Sequence, residues 1–189
     1  MACVLGLLLV ASSGCGYNTI QGADETVKAA WAEVQNQYQR RMDLIPNLVS
    51  TVKGAANFEK ETLEAVIQAR ASATQVKMDA SVLDDPEAFK KLQETQGSLG
   101  GALSRLLVVA ERYPELKATA AFSDLQAQLE GTENRIAVAR KRYVESVAEY
   151  NKLVRFFPTN LTARFILGVE PRPTFEATAG ADKPPAVQF

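Results

Sequence analysis

Arg40, Arg41, Asp43 and Asn47 crowd into one short stretch, and Arg140 stands far downstream at a comparable position in a helical pattern. These are the residues on which recognition chemistry could rest. Two guanidiniums beside a carboxylate and an amide suit a partner-recognition or switch site. Their structural alternative is plainer: Asp43 caps a turn before Pro46, while one arginine pairs with a carboxylate on a facing helix. A charge on a core seam is expensive to bury unless it is paired, so such a partner is expected. Arg41 and Arg140 together suggest a polar layer inside the fold, of the kind that sets helix register or receives an anion.

Catalysis has little to work with. The chain has no histidine, which removes the commonest general base and the commonest zinc ligand. The expectation is a protein that is not an enzyme, with no catalytic residue, no cofactor and no metal site. Asp84-Asp85 is better read as helix capping than as a cation site, because calcium needs more oxygens at fixed spacing. Tyr143, Tyr150 and Asn151 could line an aromatic pocket, but aromatics seven apart read as core with their hydroxyls reaching the surface. No Gly-rich phosphate loop or nucleophile elbow is present in the sequence.

Charge narrows the partners. Lys and Arg total 21 against 22 Asp and Glu, a net charge of −1. That balance argues against nucleic acid and against a polybasic membrane patch. Cys3 and Cys15 both precede any globular part, so they cannot form a disulfide framework.

The N-terminus reads as an address. An apolar run of about ten residues, Cys3 to Ala11, matches the core of a secretory signal and falls short of the ~20 residues of a spanning helix. Ser12, Ser13 and Gly14 lead into Cys15, an order similar to the lipobox of bacterial lipoproteins, in which the thiol receives a diacylglycerol. The pattern departs from that motif in two ways: Ser12 stands where Leu is usual, and no Lys or Arg precedes the apolar run. A start upstream of Met1 would account for the second. The alternatives are a plain cleaved signal or a truncated membrane anchor. Expected, then, are a signal-like segment over 1–14 and a lipidated linker over 15–22, with Cys15 as the attachment point. Gly16 rather than Asp after the cysteine suits outer-membrane sorting in a diderm bacterium.

The elements that position these residues read as helices. Val27, Val34 and Leu48 share one heptad column with Arg41; Trp31, Tyr38, Ile45 and Val52 share its partner. A 3.5-residue period of that length predicts a helix packed along its whole side. Pro46 falls within the pattern and is expected to kink the helix or start a new turn behind Asp43. A second, Ala-rich helix is predicted from Phe58 to about Val76. Asp85 and Pro86 make a helix start, followed by Phe89, Leu92, Gln96, Leu99, Leu103, Leu106 and Ala110 in alternating threes and fours. Gly97, Gly100 and Gly101 inside that helix predict a kink or a close contact. A fourth helix carries Phe122 through Phe157 and stops at Pro158. These patterns predict an all-α fold, an up-and-down bundle of about four long antiparallel helices over 23–168. An extended or disordered tail follows over 169–189.

With the first and last helices in view, the chain closely resembles the LemA family of bacterial proteins. The matching segments are Gly14-Cys15-Gly16-Tyr17-Asn18, Glu25 to Trp31, Gln39-Arg40-Arg41-Met42-Asp43-Leu44-Ile45-Pro46-Asn47-Leu48-Val49, Lys60-Glu61-Thr62-Leu63, Tyr150-Asn151, Arg155-Phe156-Phe157-Pro158, and the terminal Pro-Ala-Val-Gln-Phe. The resemblance implies an all-helical protein held at the membrane by its N-terminus, with its bulk outside the cytoplasm. It implies no catalytic activity or cofactor. Such proteins are often encoded beside TPM-domain proteins or membrane metallopeptidases, which points to envelope complexes.

Two functions compete. An envelope interaction or scaffold protein would bind other membrane proteins and predicts an exposed apolar patch or groove of more than a few hundred Å². A small-ligand or anion sensor predicts an enclosed polar cavity faced by Arg41 and Arg140, with no paired carboxylate.

Overall fold

The computed structural model describes the backbone of residues 2–56 and 58–176, and side chains from residue 16 onward. Every regular element among them is helical. Six α-helices are present rather than four: α1 (Ala2–Lys53), α2 (Lys60–Gln75), α3 (Pro86–Ala110), α4 (Pro114–Lys117), α5 (Ala120–Arg155) and α6 (Thr159–Thr162). A 3₁₀ turn, Ala80–Asp84, leads into α3, and a π turn, Ala163–Leu167, follows α6. The extra helices are single turns at prolines: Pro114, expected only as a stop, opens α4 from its first position, where a missing N–H is harmless.

The apolar seams of α1 and α5 lie against each other and run antiparallel, with Trp31 beside Tyr143 and Arg41 beside Glu133. The α2–α3 hairpin closes the other side of the lower half. It is pinned at its open end by Phe58 against Tyr113. Asp85 caps α3 as predicted, its carboxylate accepting from the N–H groups of Glu87 and Ala88. Thr119 caps α5 by accepting from Phe122 N–H.

Pro46 does not break α1, which runs unbroken through it. Proline at this position leaves the Met42 carbonyl without its helical donor. Arg70 on α2 supplies one, its Nε donating to Met42 O at 3.3 Å. The helix stays whole because a neighbour satisfies the carbonyl that proline frees. With no helix start at Pro46, Asp43 caps nothing there; it accepts from Gln39 Nε2 at 2.7 Å on the same helix.

Two apolar clusters fill the core. One gathers Val27, Trp31, Val34, Tyr38, Phe89, Leu92, Ile136, Tyr143 and Tyr150. The other gathers Met42, Ile45, Leu48, Leu99, Leu103, Leu106, Leu125 and Leu129. The change from one to the other falls between Tyr38 and Met42 on α1, between Leu92 and Leu99 on α3, and between Leu129 and Ile136 on α5. At that level the buried residues are Arg41, Gln96 and Thr132.

The tail departs from expectation in part. Residues 169–176 carry no regular element, and they are packed against the helices rather than loose. Phe175 enters the cluster of Trp31, Phe89 and Tyr143. Gly168 takes a left-handed conformation (φ 62°) that turns the chain into this segment, a backbone state glycine adopts without strain. The terminal Pro-Ala-Val-Gln-Phe and the rest of 177–189 lie outside the described residues.

Candidate functional site

The polar cluster read from sequence divides in two. Arg40, Asp43 and Asn47 lie on the solvent face of α1, whereas Arg41 points inward with its side chain 3% exposed. Its guanidinium donates from Nη1 to Glu133 Oε1 at 2.6 Å, and from Nη2 to the carbonyl and side-chain oxygen of Gln96 at 3.1 and 2.5 Å. Arg41 Nε is buried without a partner. Gln96 is itself held, since its amide nitrogen faces Met78 Sδ at 3.8 Å. Met78 O in turn accepts from Trp31 Nε1 at 3.0 Å and from the Gln35 side chain. The expected carboxylate partner on a facing helix therefore exists: it is Glu133 of α5, half exposed at its outer edge.

Arg140 does not join that layer. It lies seven residues beyond Glu133 on α5, roughly 10 Å along the helix axis, and its guanidinium sits 4.2 Å over the Phe175 ring. Both arginines nonetheless line one cleft of about 580 Å³, together with Tyr38, Gln93 and Gln96. Gly97, Gly100 and Gly101 form its α3 wall. No atom lies within 4 Å of a Cβ built on Gly97 or Gly101, while one on Gly100 would stand 3.5 Å from Arg41 Nη1. The close contact expected of these glycines is absent at Gly97 and Gly101, which leave the cleft open. The sensor expectation is met in its two arginines and fails in its third condition, because Glu133 pairs Arg41.

Sequence reasoning missed the strap that crosses the helices beside this cleft. Asn151 grips the Arg172 backbone, its Nδ2 donating to Arg172 O at 3.0 Å and its Oδ1 accepting from Arg172 N at 2.8 Å. Gln93 grips Glu176 in the same two-point way, at 2.8 and 3.3 Å. Arg172 pairs with Asp24 at 2.6 Å, and Tyr143 donates to Pro173 O at 2.9 Å. The Tyr143 hydroxyl thus ends under the strap rather than at the surface, and burial pushes its pKa up. Burial does the same to Tyr38 and Tyr150. Gln96 carried a usable signal, a polar residue in an apolar series. Glu133 and Phe175 carried none.

The Cys15 side chain lies outside the described residues. Among the described residues, no helix is long and apolar enough to cross a membrane.

Residues 30–189 match the LemA family. A magnetosome protein MamQ of Paramagnetospirillum magneticum is 26% identical over 89% of this chain and 67% of its own length. MamQ of Magnetospirillum gryphiswaldense is 28% identical over the same shares. A protein LemA of Metamycoplasma hominis is 25% identical over 78% of this chain and 60% of its own.

Proposed function

We propose, for a chain that belongs to the LemA family, that it is a membrane-anchored helical protein of the bacterial envelope, acting as a non-catalytic interaction or scaffold protein. One observation carries this reading. The apolar run Cys3 to Ala11 heads the same unbroken helix, Ala2–Lys53, that supplies one whole side of the core. Whatever holds the N-terminus holds the body, with no linker between them. That run is shorter than a bilayer span, which favours a lipid on Cys15 as the proposed tether over insertion as a signal-anchor, with the bulk extracytoplasmic.

The polar residues support a structural role over a reactive one. Arg41 is bound to both Gln96 and Glu133, and Arg172 to Asp24. The partners proposed are other envelope membrane proteins, and the MamQ relatives, named as magnetosome proteins, fit a role at membranes.

A second reading has its own observation. Arg140 faces the cleft with an aromatic ring, not a carboxylate, as its partner, which suits a sensor of small anions. Calorimetric titration with acetate or inorganic phosphate separates the two: binding abolished by Arg140→Gln favours the sensor. The tether is tested by radiolabelled palmitate in cells carrying wild type or Cys15→Ala. Label in wild type alone is the expected result, and equal label in both contradicts lipidation at Cys15.

A further inference from the structure

Nine large hydrophobic residues are exposed in this chain's described part, and six of them gather at one end: Tyr17, Phe156, Phe157, Leu161, Phe165 and Ile166. Phe157 is 79% exposed and Phe165 74%. The remaining three, Ile67, Val108 and Val138, stand singly, which is ordinary for a protein surface. A cluster of three phenylalanines with Ile and Leu is not ordinary.

Its location is fixed by Gly16. A Cβ there would stand 3.3 Å from Thr159 Cγ2 and 3.3 Å from Thr162 Oγ1, so α6 packs directly on α1 where α1 enters the body. The end of α5, α6 and the π turn therefore form a collar around the exit of the helix that continues through Cys15 to the apolar run. The collar's charge is one-sided. From Leu153 to Val169 the sequence contains Arg155 and Arg164 and no acidic residue, in a chain whose net charge is −1. Both arginines are exposed, and neither has a carboxylate in ion-pair distance among the described residues.

We infer that this collar is a lipid-facing surface that seats the bundle on the bilayer, its phenylalanines in the interface and Arg155 and Arg164 on anionic headgroups. Aromatic rings and long cationic side chains are the residue types that settle at the boundary between headgroup and acyl chain. The helix α1 brings that boundary to the collar, since Cys15, the proposed lipid site, directly precedes Gly16. The inference rests on the membrane-anchored reading and adds an orientation: the α6 end faces the bilayer, and the end carrying the α1–α2 and α3–α4 connections, where Phe58 meets Tyr113, faces away.

The test uses the full-length chain on vesicles of phosphatidylcholine and phosphatidylglycerol with brominated acyl chains. Trp31 is the one tryptophan and is buried, so it gives a constant background. In the Phe165→Trp variant, emission is expected to shift to the blue and to lose intensity to the brominated lipid. Val108→Trp, exposed at the opposite end, is expected to respond no more than wild type. Arg155→Gln with Arg164→Gln is expected to remove the dependence of quenching on phosphatidylglycerol. If the protein floats with the vesicles but Phe165→Trp is not quenched beyond wild type, the collar faces something else, such as a protein, and the inference falls while the anchor stands. Equal quenching of Val108→Trp also overturns it. Failure to float overturns both.

Discussion

Arg41 and Glu133 meet 2.6 Å apart across α1 and α5, with the arginine buried and the carboxylate at the rim. Because their contact falls where one apolar cluster gives way to the other, it fixes the relative height of the two longest helices. A one-turn slip would carry a guanidinium into apolar surroundings. Breaking such a pair from one side is expensive, whereas replacing it whole by apolar groups need not be. Glu133→Ala is expected to destabilise by about 1–3 kcal/mol, reduced by the glutamate's exposure. Arg41→Met combined with Gln96→Leu is expected to recover stability to near wild type. Urea denaturation of the three proteins checks this ordering.

Pro46 and Arg70 form a second coupled pair. Pro46→Ala restores the helical bond to Met42 O and is expected to raise stability by roughly 1–3 kcal/mol. Arg70→Ala is expected to cost about 1 kcal/mol in wild type and less in the Pro46→Ala background, where the carbonyl has its own donor. A double-mutant cycle reads the difference directly. Equal losses in both backgrounds would show that Arg70 acts through something other than the carbonyl.

The cleft glycines make a different prediction. Nothing lies near a Cβ at Gly97 or Gly101, so each Ala substitution is expected to stabilise the protein by about 1 kcal/mol through helix propensity alone. Thermal melts measure this. A gain in stability with loss of anion binding would favour the sensor reading, since the substitutions narrow the cleft without touching either arginine.

Alkaline pH should weaken the fold. Burial raises the Tyr38 and Tyr143 pKa values above the ordinary value near 10. Their contribution is whole below that value. It is lost as pH rises above it, because the unfolded chain releases these protons first. Each tyrosine is expected to remove about 1.4 kcal/mol per pH unit above ~10. Tyr143→Phe should flatten the profile, at an expense of about 1 kcal/mol at neutral pH from the lost bond to Pro173 O. Denaturation at a series of alkaline pH values checks both.

The helices were legible because heptads report packing directly: Val27, Trp31, Val34 and Tyr38 are all buried where their columns require. The Asp85 cap was legible because capping is local chemistry. A new helix start at Pro46 was the wrong alternative because the freed carbonyl is served by Arg70, 24 positions away, and no local pattern records that. The same reason hides Glu133 from Arg41 and the two-point grips of Asn151 and Gln93. The strap was read as extended or disordered, because an eight-residue segment held by one phenylalanine, one ion pair and backbone grips has no periodicity. Arg41 was legible as a buried charge from its place in an apolar column, while Arg140 looked equivalent in pattern but is only half-buried, lies outside the polar layer and has the Phe175 ring over it.

Attachment to the outer face of a membrane is the centre of this account, and protease access in fractionated cells tests it most directly. The wild-type chain is expected to sediment with membranes, to stay there through a high-salt wash, and to be cut by protease added outside intact spheroplasts. Recovery in the soluble fraction, or protection from external protease, would contradict it.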